Sequence, residues 1–301
     1  MISFEEIRMS LGVVPAKPLV IAIIIGALYT GSRINNKIQF GVRSFISLIF
    51  LLIFSAYGSL IAIIFSIIGK RGLINYVTAR SYGFIASPAV GISFKLQGEE
   101  YLNTRPAVFI CNHQAAVDLL VLGRIFPKHC VVVGKASLRF IPLLGMFMSL
   151  GHAVFLDRKN HGSAVQALTN AAEEIKKQNT SVFIFPEGTR ARLQEADLLP
   201  FKKGAFHMAV QAKIPIVPIV VANYSNYYNS KHKIFRGGEI NIKVLPPIDV
   251  SDISIDQIDT LTNSTRELML KTLKEITPSH PTQNNNNSKT SITNEKIKQH
   301  K

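Results

Sequence analysis

Val108-Phe109-Ile110-Cys111-Asn112-His113-Gln114-Ala115-Ala116-Val117-Asp118-Leu119-Leu120-Val121-Leu122 is the stretch whose reading decides the fold. Val108–Cys111 is a short apolar run, bounded by a polar turn, of the kind that forms a buried strand. Leu119, Leu120 and Leu122 then open a helix. A strand that hands over to a helix through a polar turn is the unit of sheets covered by helices, and the carboxyl ends of such strands are where functional groups gather.

The alternation continues on both sides. Candidate strands are Val108–Cys111, Cys130–Val133, Ala153–Leu156, Val182–Phe185, Ile216–Val221 and Ile240–Leu245. Helical patterns fall at Ser163–Lys177, Gly204–Lys213 and Asp256–Lys274, the first with Ser163 as N-cap and with Lys176 and Lys177 suited to a helix C-terminus. Residues 93–277 therefore read as one α/β catalytic domain, a mixed, mostly parallel sheet flanked by helices.

Residues 1–92 read as a membrane-embedded N-terminal helical region. Its main hydrophobic span, 45–68, carries no charge, and as a helix it is long enough for a hydrocarbon core of about 30 Å. It starts too late and runs too long for a signal peptide. Leu19–Tyr29 is shorter and suits a re-entrant or interfacial segment, and Tyr82–Ile92, broken by Gly83, Pro88 and Gly91, suits the membrane surface. Lys and Arg residues flank the span equally, so charge counting leaves its orientation open. Residues 278–301, with the run Asn284–Asn287, form a polar tail with too little to bury, and disorder is expected there.

The formal net charge is +15, and hydrophobic residues make up 47% of the chain. Basic and greasy together point to an anionic membrane surface or an anionic lipid substrate. Because the cations are scattered between apolar runs, nucleic acid is not expected as a partner. Cys111 and Cys130 are too few for a disulfide framework or a cysteine-rich metal site, and Cys111, at a strand end, reads as a buried thiol.

His113 and Asp118 can meet across the turn after Val108–Cys111. The imidazole would act as general base and the carboxylate would fix its tautomer. The same spacing recurs at His152 and Asp157, but those two lie along a strand pattern, where residues five apart face opposite ways. Taken alone, the first pair could equally hold an ordinary loop histidine. Phe183-Ile184-Phe185-Pro186-Glu187-Gly188-Thr189-Arg190 runs a strand into a sharp turn. Gly188 permits close backbone approach, and Thr189 and Arg190 offer donors for a phosphate; a plain Pro-Gly turn with a solvated arginine fits the segment too. Lys135 and Arg158 each follow a strand pattern, where they could meet an anion or a bare domain surface. Lys202 and Lys203 add two cations, or a solvated helix start. Gly134-Lys135-Ala136-Ser137 is not a P-loop, because His129 stands where that motif needs glycine. Ile214-Pro215-Ile216-Val217-Pro218 shapes the lead into a buried strand.

Taken together, these segments resemble the glycerolipid acyltransferase family, the 1-acylglycerol-3-phosphate acyltransferases. The blocks Asn112–Asp118, Gly134-Lys135, Phe155-Leu156-Asp157-Arg158, Phe185–Arg190 and Ile214–Pro218 stand in that family's order, with Leu156 where many members carry isoleucine. The resemblance implies an acyl-CoA-dependent transferase that acylates the sn-2 hydroxyl of lysophosphatidic acid to give phosphatidic acid, in phospholipid and triacylglycerol synthesis. His113 would take the hydroxyl proton and Asp118 would orient His113. Asn112 and Gln114 would shape the loop or donate to the oxyanion. Glu187, Gly188, Thr189 and Arg190 would hold the glycerol phosphate, with Lys135 and Arg158 assisting.

No metal site and no cofactor are implied, and acyl-CoA is a co-substrate; membrane lipids, lysophosphatidic acid and acyl-CoA are the expected partners. No acyl-enzyme is needed, and no Gly-x-Ser-x-Gly elbow is present to form one. The same motifs would suit a sister enzyme that acylates another lysophospholipid or glycerol 3-phosphate. A thioesterase-like hydrolase and a non-catalytic membrane scaffold are the readings from other classes. The resemblance further implies the endoplasmic reticulum membrane of a eukaryotic cell, with lipid droplets as a second site and the catalytic domain facing the cytosol. The acceptor sequences at Asn223, Asn263 and Asn286 should then stay unglycosylated.

Overall fold

A computed structural model describes residues 35–157 and 161–278. Leu19–Tyr29, Arg158 and nearly all of the tail lie outside these residues. A seven-stranded sheet carries the fold, in the order β1-β9-β6-β2-β5-β3-β4. Its strands are β1 (Ile92–Gln97), β2 (Val108–Cys111), β3 (Cys130–Lys135), β4 (Val154–Leu156), β5 (Ser181–Ile184), β6 (Ile216–Val221) and β9 (Gly238–Val244). The short strands β7 (Tyr228–Asn229) and β8 (Ile234–Phe235) form a separate antiparallel hairpin. From β6 through β4 all neighbours are parallel, whereas β9 runs antiparallel to β6 and carries β1 parallel to itself. The sheet is thus mixed and mostly parallel, as the alternation of patterns leads one to expect.

Side-chain alternation divides the core into two layers. Phe109, Phe183, Val217 and Ile219 face one side, where they meet residues of α2 (Ile74–Ala89) and α3 (Asp118–Ile125). Val108, Ile110, Val182 and Ile216 face the other, toward α5 (His161–Lys177), α6 (Gly204–Ala212) and α7 (Ile258–Ile276). Burial on both faces is why the central strands read as unbroken apolar runs. Each fully buried Phe or Ile in these layers contributes about 1.5–3 kcal/mol relative to exposure.

The charge-free span lies in α1 (Asn36–Ile67). The helix starts earlier than the apolar run because Asn35 caps it, its side chain accepting the Lys37 N–H at 2.8 Å. By length and composition α1 can cross a membrane. One face, with Phe54, Ser55, Gly58, Ser59 and Ala62, is buried against the protein. A Cβ at Gly58 would stand 2.6 Å from the Phe147 ring of α4 (Leu144–Leu150), so the glycine sets that approach. The opposite face leaves Phe45, Ile53 and Leu60 exposed, as a lipid-facing surface would.

Two local readings change. Tyr82–Ile92 is not a surface-lying run: it is the second half of α2 and the start of β1, and Tyr82, Ala86, Val90 and Ile92 are core residues. Gly83 serves there as a contact point, since a Cβ on it would lie 2.5 Å from the Gly123 backbone of α3. Phe84 and Ile85 alone of that stretch keep large apolar surfaces outside. Strand β1 and helix α4 are additions. β1 alternates buried and open positions just where the membrane-embedded region is expected to give way to the catalytic domain, and α4 follows Leu143, whose φ of 62° no pattern announces.

Candidate active site

Strands β2, β3, β4 and β5 run parallel, so the segments that follow them emerge on one edge of the sheet. The turn after β2 carries His113 and Asp118. His113 Nδ1 lies 2.7 Å from Asp118 Oδ2. Asp118 begins α3, and its carboxylate turns back over the loop. Four donors converge on it. Oδ2 accepts from His113 Nδ1, from the Gln114 N–H at 2.7 Å and from the Ala115 N–H at 3.1 Å, and Oδ1 accepts from the Tyr224 hydroxyl at 2.7 Å. Donation from Nδ1 leaves the Nε2 lone pair of His113 as the free base. The His113 side chain is 16% exposed against 3% for Asp118, so the base has an open edge and its partner is sealed.

The loop itself is clamped to β6. Asn112 donates to the Val221 carbonyl at 2.9 Å and accepts the Val221 N–H at 2.8 Å, imitating a strand partner. The Gln114 amide donates to the Val221 and Ala222 carbonyls, each at 3.0 Å. Both amides are spent on holding the loop against the end of β6. Phe185 lies under the imidazole with ring centroids 4.1 Å apart and planes 21° from parallel, a stacked contact that holds the ring upright.

The turn after β5 is arranged differently. Glu187 is buried, and its two oxygens accept the His113 N–H at 2.7 Å and the Leu199 N–H at 3.0 Å. Burial holds its carboxyl above the usual carboxylate range, against the pull of those two N–H groups. Gly188 turns at a φ of 69°, a left-handed conformation that glycine adopts without strain, and the Lys202 side chain crosses where a Cβ would be. Thr189 and Arg190 are exposed. The next residues run back along the loop that carries His113, the Ala191 N–H donating to the His113 carbonyl at 2.8 Å and the Arg192 N–H to that of Gln114 at 3.2 Å.

The structure therefore brings His113, Asp118 and Glu187 into direct contact and sets Gly188, Thr189 and Arg190 immediately beside them. Lys135 ends β3, exposed on the same edge, two strands and so about 10 Å of sheet from β2. Lys203 is engaged by Asp259 at 2.6 Å. His152 and Asp157 flank β4 at its two ends, while the other pair closes.

Tyr224 and Phe185 escaped the sequence reading as site residues. Tyr224 falls in Asn223-Tyr224-Ser225, which reads as a glycosylation acceptor; Asn223 instead donates to the Leu193 and Glu195 carbonyls. Cys111 and Cys130 are free and buried. Burial, with Asp118 and Glu187 nearby, pushes the Cys111 thiol well up, so this neighbour of His113 offers no thiolate nucleophile at neutral pH.

Residues 93–222 match the family profile described as Acyltransferase. The 1-acyl-sn-glycerol-3-phosphate acyltransferase of Saccharomyces cerevisiae is 41% identical over 73% of this chain and 73% of its own length. The chain belongs to the acyltransferase family. An uncharacterized acyltransferase of Schizosaccharomyces pombe is 39% identical to this acyltransferase over 79% of the chain and 86% of the relative. The human 1-acyl-sn-glycerol-3-phosphate acyltransferase alpha is 36% identical over 62% of this chain and 65% of its own. The crystal structure of the 1-acyl-sn-glycerophosphate acyltransferase of Thermotoga maritima superposes with a TM-score of 0.64 at 21% identity, covering 81% of this chain and 98% of that one. That likeness establishes a shared fold. The acyltransferase is thus an enzyme of lipid metabolism related to the lysophosphatidic acid acyltransferases.

Proposed function

We propose that this acyltransferase moves an acyl chain from acyl-CoA to the sn-2 hydroxyl of 1-acyl-sn-glycerol 3-phosphate, giving phosphatidic acid. The observation that carries the reading is the 2.7 Å contact between His113 Nδ1 and Asp118 Oδ2, which frees Nε2 on a partly open ring. Nε2 takes the proton of the acceptor hydroxyl as its oxygen attacks the thioester carbonyl. The new C–O bond forms, the C–S bond breaks, and the departing sulfur takes the proton back from the imidazolium to leave free coenzyme A. Asp118 holds the tautomer throughout and offsets the transient positive charge. A general base in this position contributes about 10²–10⁴-fold.

Thr189 and Arg190 are proposed to meet the glycerol phosphate, with Lys135 and Arg158 as assisting cations. Gly188 lets the backbone of that turn come close. Glu187 takes a positioning role, because both of its oxygens are occupied by backbone N–H groups. The exposed apolar face of α1 is proposed to sit in the membrane that holds the lipid substrate. The cytosolic face of the endoplasmic reticulum is the proposed compartment, since acyl-CoA is charged and does not cross a bilayer unaided.

A panel of lyso-acceptors offered to the purified protein with one acyl-CoA tests the proposal. Lysophosphatidic acid should be acylated in preference to lysophosphatidylcholine, lysocardiolipin and glycerol 3-phosphate. A preference for another acceptor, or fatty-acid release independent of any acceptor, would overturn it.

A further inference from the structure

The turn that carries His113 has openings on two sides. Ala116, Val117, Leu119 and Leu120 border an apolar groove of about 180 Å³ whose other wall is Ser44, Ser47, Leu48 and Leu51 of α1. Gln114 and Ala115 border a second cleft, of about 430 Å³, that runs under the segment Arg192–Gln194 and over the β7–β8 hairpin. Tyr228 lines both and so stands as the partition.

The two openings differ in chemistry. The groove lies on α1 and, among the described residues, carries no charged side chain. The cleft is lined by Arg192, Gln194, Ser225, Asn229, Ser230 and Lys231, with no carboxylate in its wall among the described residues. Arg192 and Lys231 make no ion pair among those residues. Arg192 also sits at a φ of 53°, a left-handed conformation that a non-glycine residue holds only where its surroundings impose it. Its N–H is tied to the Gln114 carbonyl, so its backbone is held one residue from His113 at the mouth of the cleft.

We infer that this polar cleft binds the nucleotide end of coenzyme A, with Arg192 and Lys231 taking its phosphate groups. The inference rests on the acyl-CoA reading proposed above. Coenzyme A and lysophosphatidic acid both bring phosphate to the site, and three observations assign the cleft to the donor. A separate apolar groove, against α1, is open to a lipid chain. The cleft has the volume of sites that take nucleotide-sized ligands, several hundred Å³, far beyond what one phosphate fills. Its donors are spread along both walls, as a molecule with phosphates at separate points requires. The thioester, at the far end of the pantetheine arm, then reaches His113 past Gln114 and Ala115.

The test uses full-length protein in detergent, with adenosine 3′,5′-bisphosphate as a binding probe and separate Michaelis constants for acyl-CoA and lysophosphatidic acid. Arg192→Gly keeps the left-handed backbone free of strain, and Lys231→Ala is an independent variant on the other wall. Each should weaken bisphosphate binding and raise the KM for acyl-CoA roughly tenfold, the scale of a lost hydrogen bond to a charged group, while the KM for lysophosphatidic acid moves less than about twofold. Unchanged bisphosphate affinity in both variants overturns the inference while leaving the acyl-CoA reading intact, as long as wild-type protein still transfers acyl groups. A rise confined to the KM for lysophosphatidic acid overturns it by assigning the cleft to the acceptor. Wild-type protein that neither binds the bisphosphate nor transfers from acyl-CoA sinks the underlying reading together with the inference.

Discussion

The turns after β2 and β5 leave the same edge of the sheet, and each carries one buried carboxylate, yet the two carboxylates do different work. Asp118 in the first accepts from the His113 ring and fixes which nitrogen is free. Glu187 in the second accepts from the His113 backbone and fixes where the residue stands. One acts on the imidazole, the other on the peptide beneath it. Around Asp118 a side chain, two backbone N–H groups and a buried hydroxyl saturate the oxygens; Glu187 receives only two backbone N–H groups and pays in desolvation, its carboxyl held above the ordinary range. The sequence pattern gives Asp118 to His113 and Glu187 to the glycerol phosphate, whereas in the fold both oxygens of Glu187 face backbone N–H groups. Partners, more than residue type, separate chemistry from scaffold.

Asp118→Asn breaks the comparison most sharply. The neutral amide can still accept from Nδ1 through its oxygen, with its NH₂ toward the Tyr224 hydroxyl, but it no longer offsets the charge of the imidazolium. Turnover should fall about 10²–10⁴-fold, the range of general base catalysis, with the KM for both substrates little changed. A steady-state assay of purified variant decides this, and a loss under about tenfold would show that the Asp118 charge is not what supports the base.

Glu187→Ala leaves the His113 and Leu199 N–H groups without acceptors. Each buried orphan costs about 1–3 kcal/mol, so the variant should melt lower and lose activity with it. The sign of the pH response separates the two acids further. The folded-state pKa of Glu187 is raised, so its protonated form is favoured on folding, and its contribution to stability is full below the unfolded-state value and declines as pH rises through the folded one. Thermal melts of wild type and Glu187→Gln across the mildly acidic range should therefore converge at the acidic end. Divergence growing toward low pH would contradict the burial account.

Arg190→Ala touches the outward side of the second turn. Its expected effect is about a tenfold rise in the KM for lysophosphatidic acid, the loss of one charge-assisted contact, with a smaller change for acyl-CoA. Equal effects on both substrates would detach Arg190 from the acceptor phosphate. Tyr224→Phe is the mildest change. It removes one donor from Asp118 and one acceptor from the Ala115 N–H, at a cost of about 0.5–1.5 kcal/mol per hydrogen bond lost. Turnover should drop a few-fold and the acid limb of the pH–rate profile should shift, a readout that damage to packing alone would leave in place.

Much of this was legible in the sequence because it follows local patterns. β2 and β6 fall where their apolar runs lie, and His113 and Asp118 sit within one turn, so five residues of spacing suffice to pair them. What was not legible depends on distant parts of the chain. Tyr224, 106 residues further along the chain, reaches Asp118 from just past β6, the strand beside β2, and its short motif carries another meaning when read alone. Glu187 keeps its motif position, but its partners, His113 and Leu199, are set by tertiary folding. β1 alternates strictly, Ile92, Phe94 and Leu96 against Ser93, Lys95 and Gln97, but it follows directly on an apolar region that masks its start, and it pairs with β9 from the far end of the domain.

The central claim is that His113 is the base that the whole edge of the sheet is built to hold. Purified His113→Ala, matched to wild type in melting temperature, given acyl-CoA and lysophosphatidic acid, should retain less than about one hundredth of wild-type turnover, the lower end of what a general base supplies. His152→Ala, from the pair that flanks β4, should lose far less. Retention of more than about a tenth of the activity in His113→Ala, below the smallest contribution expected of such a base, would contradict the account.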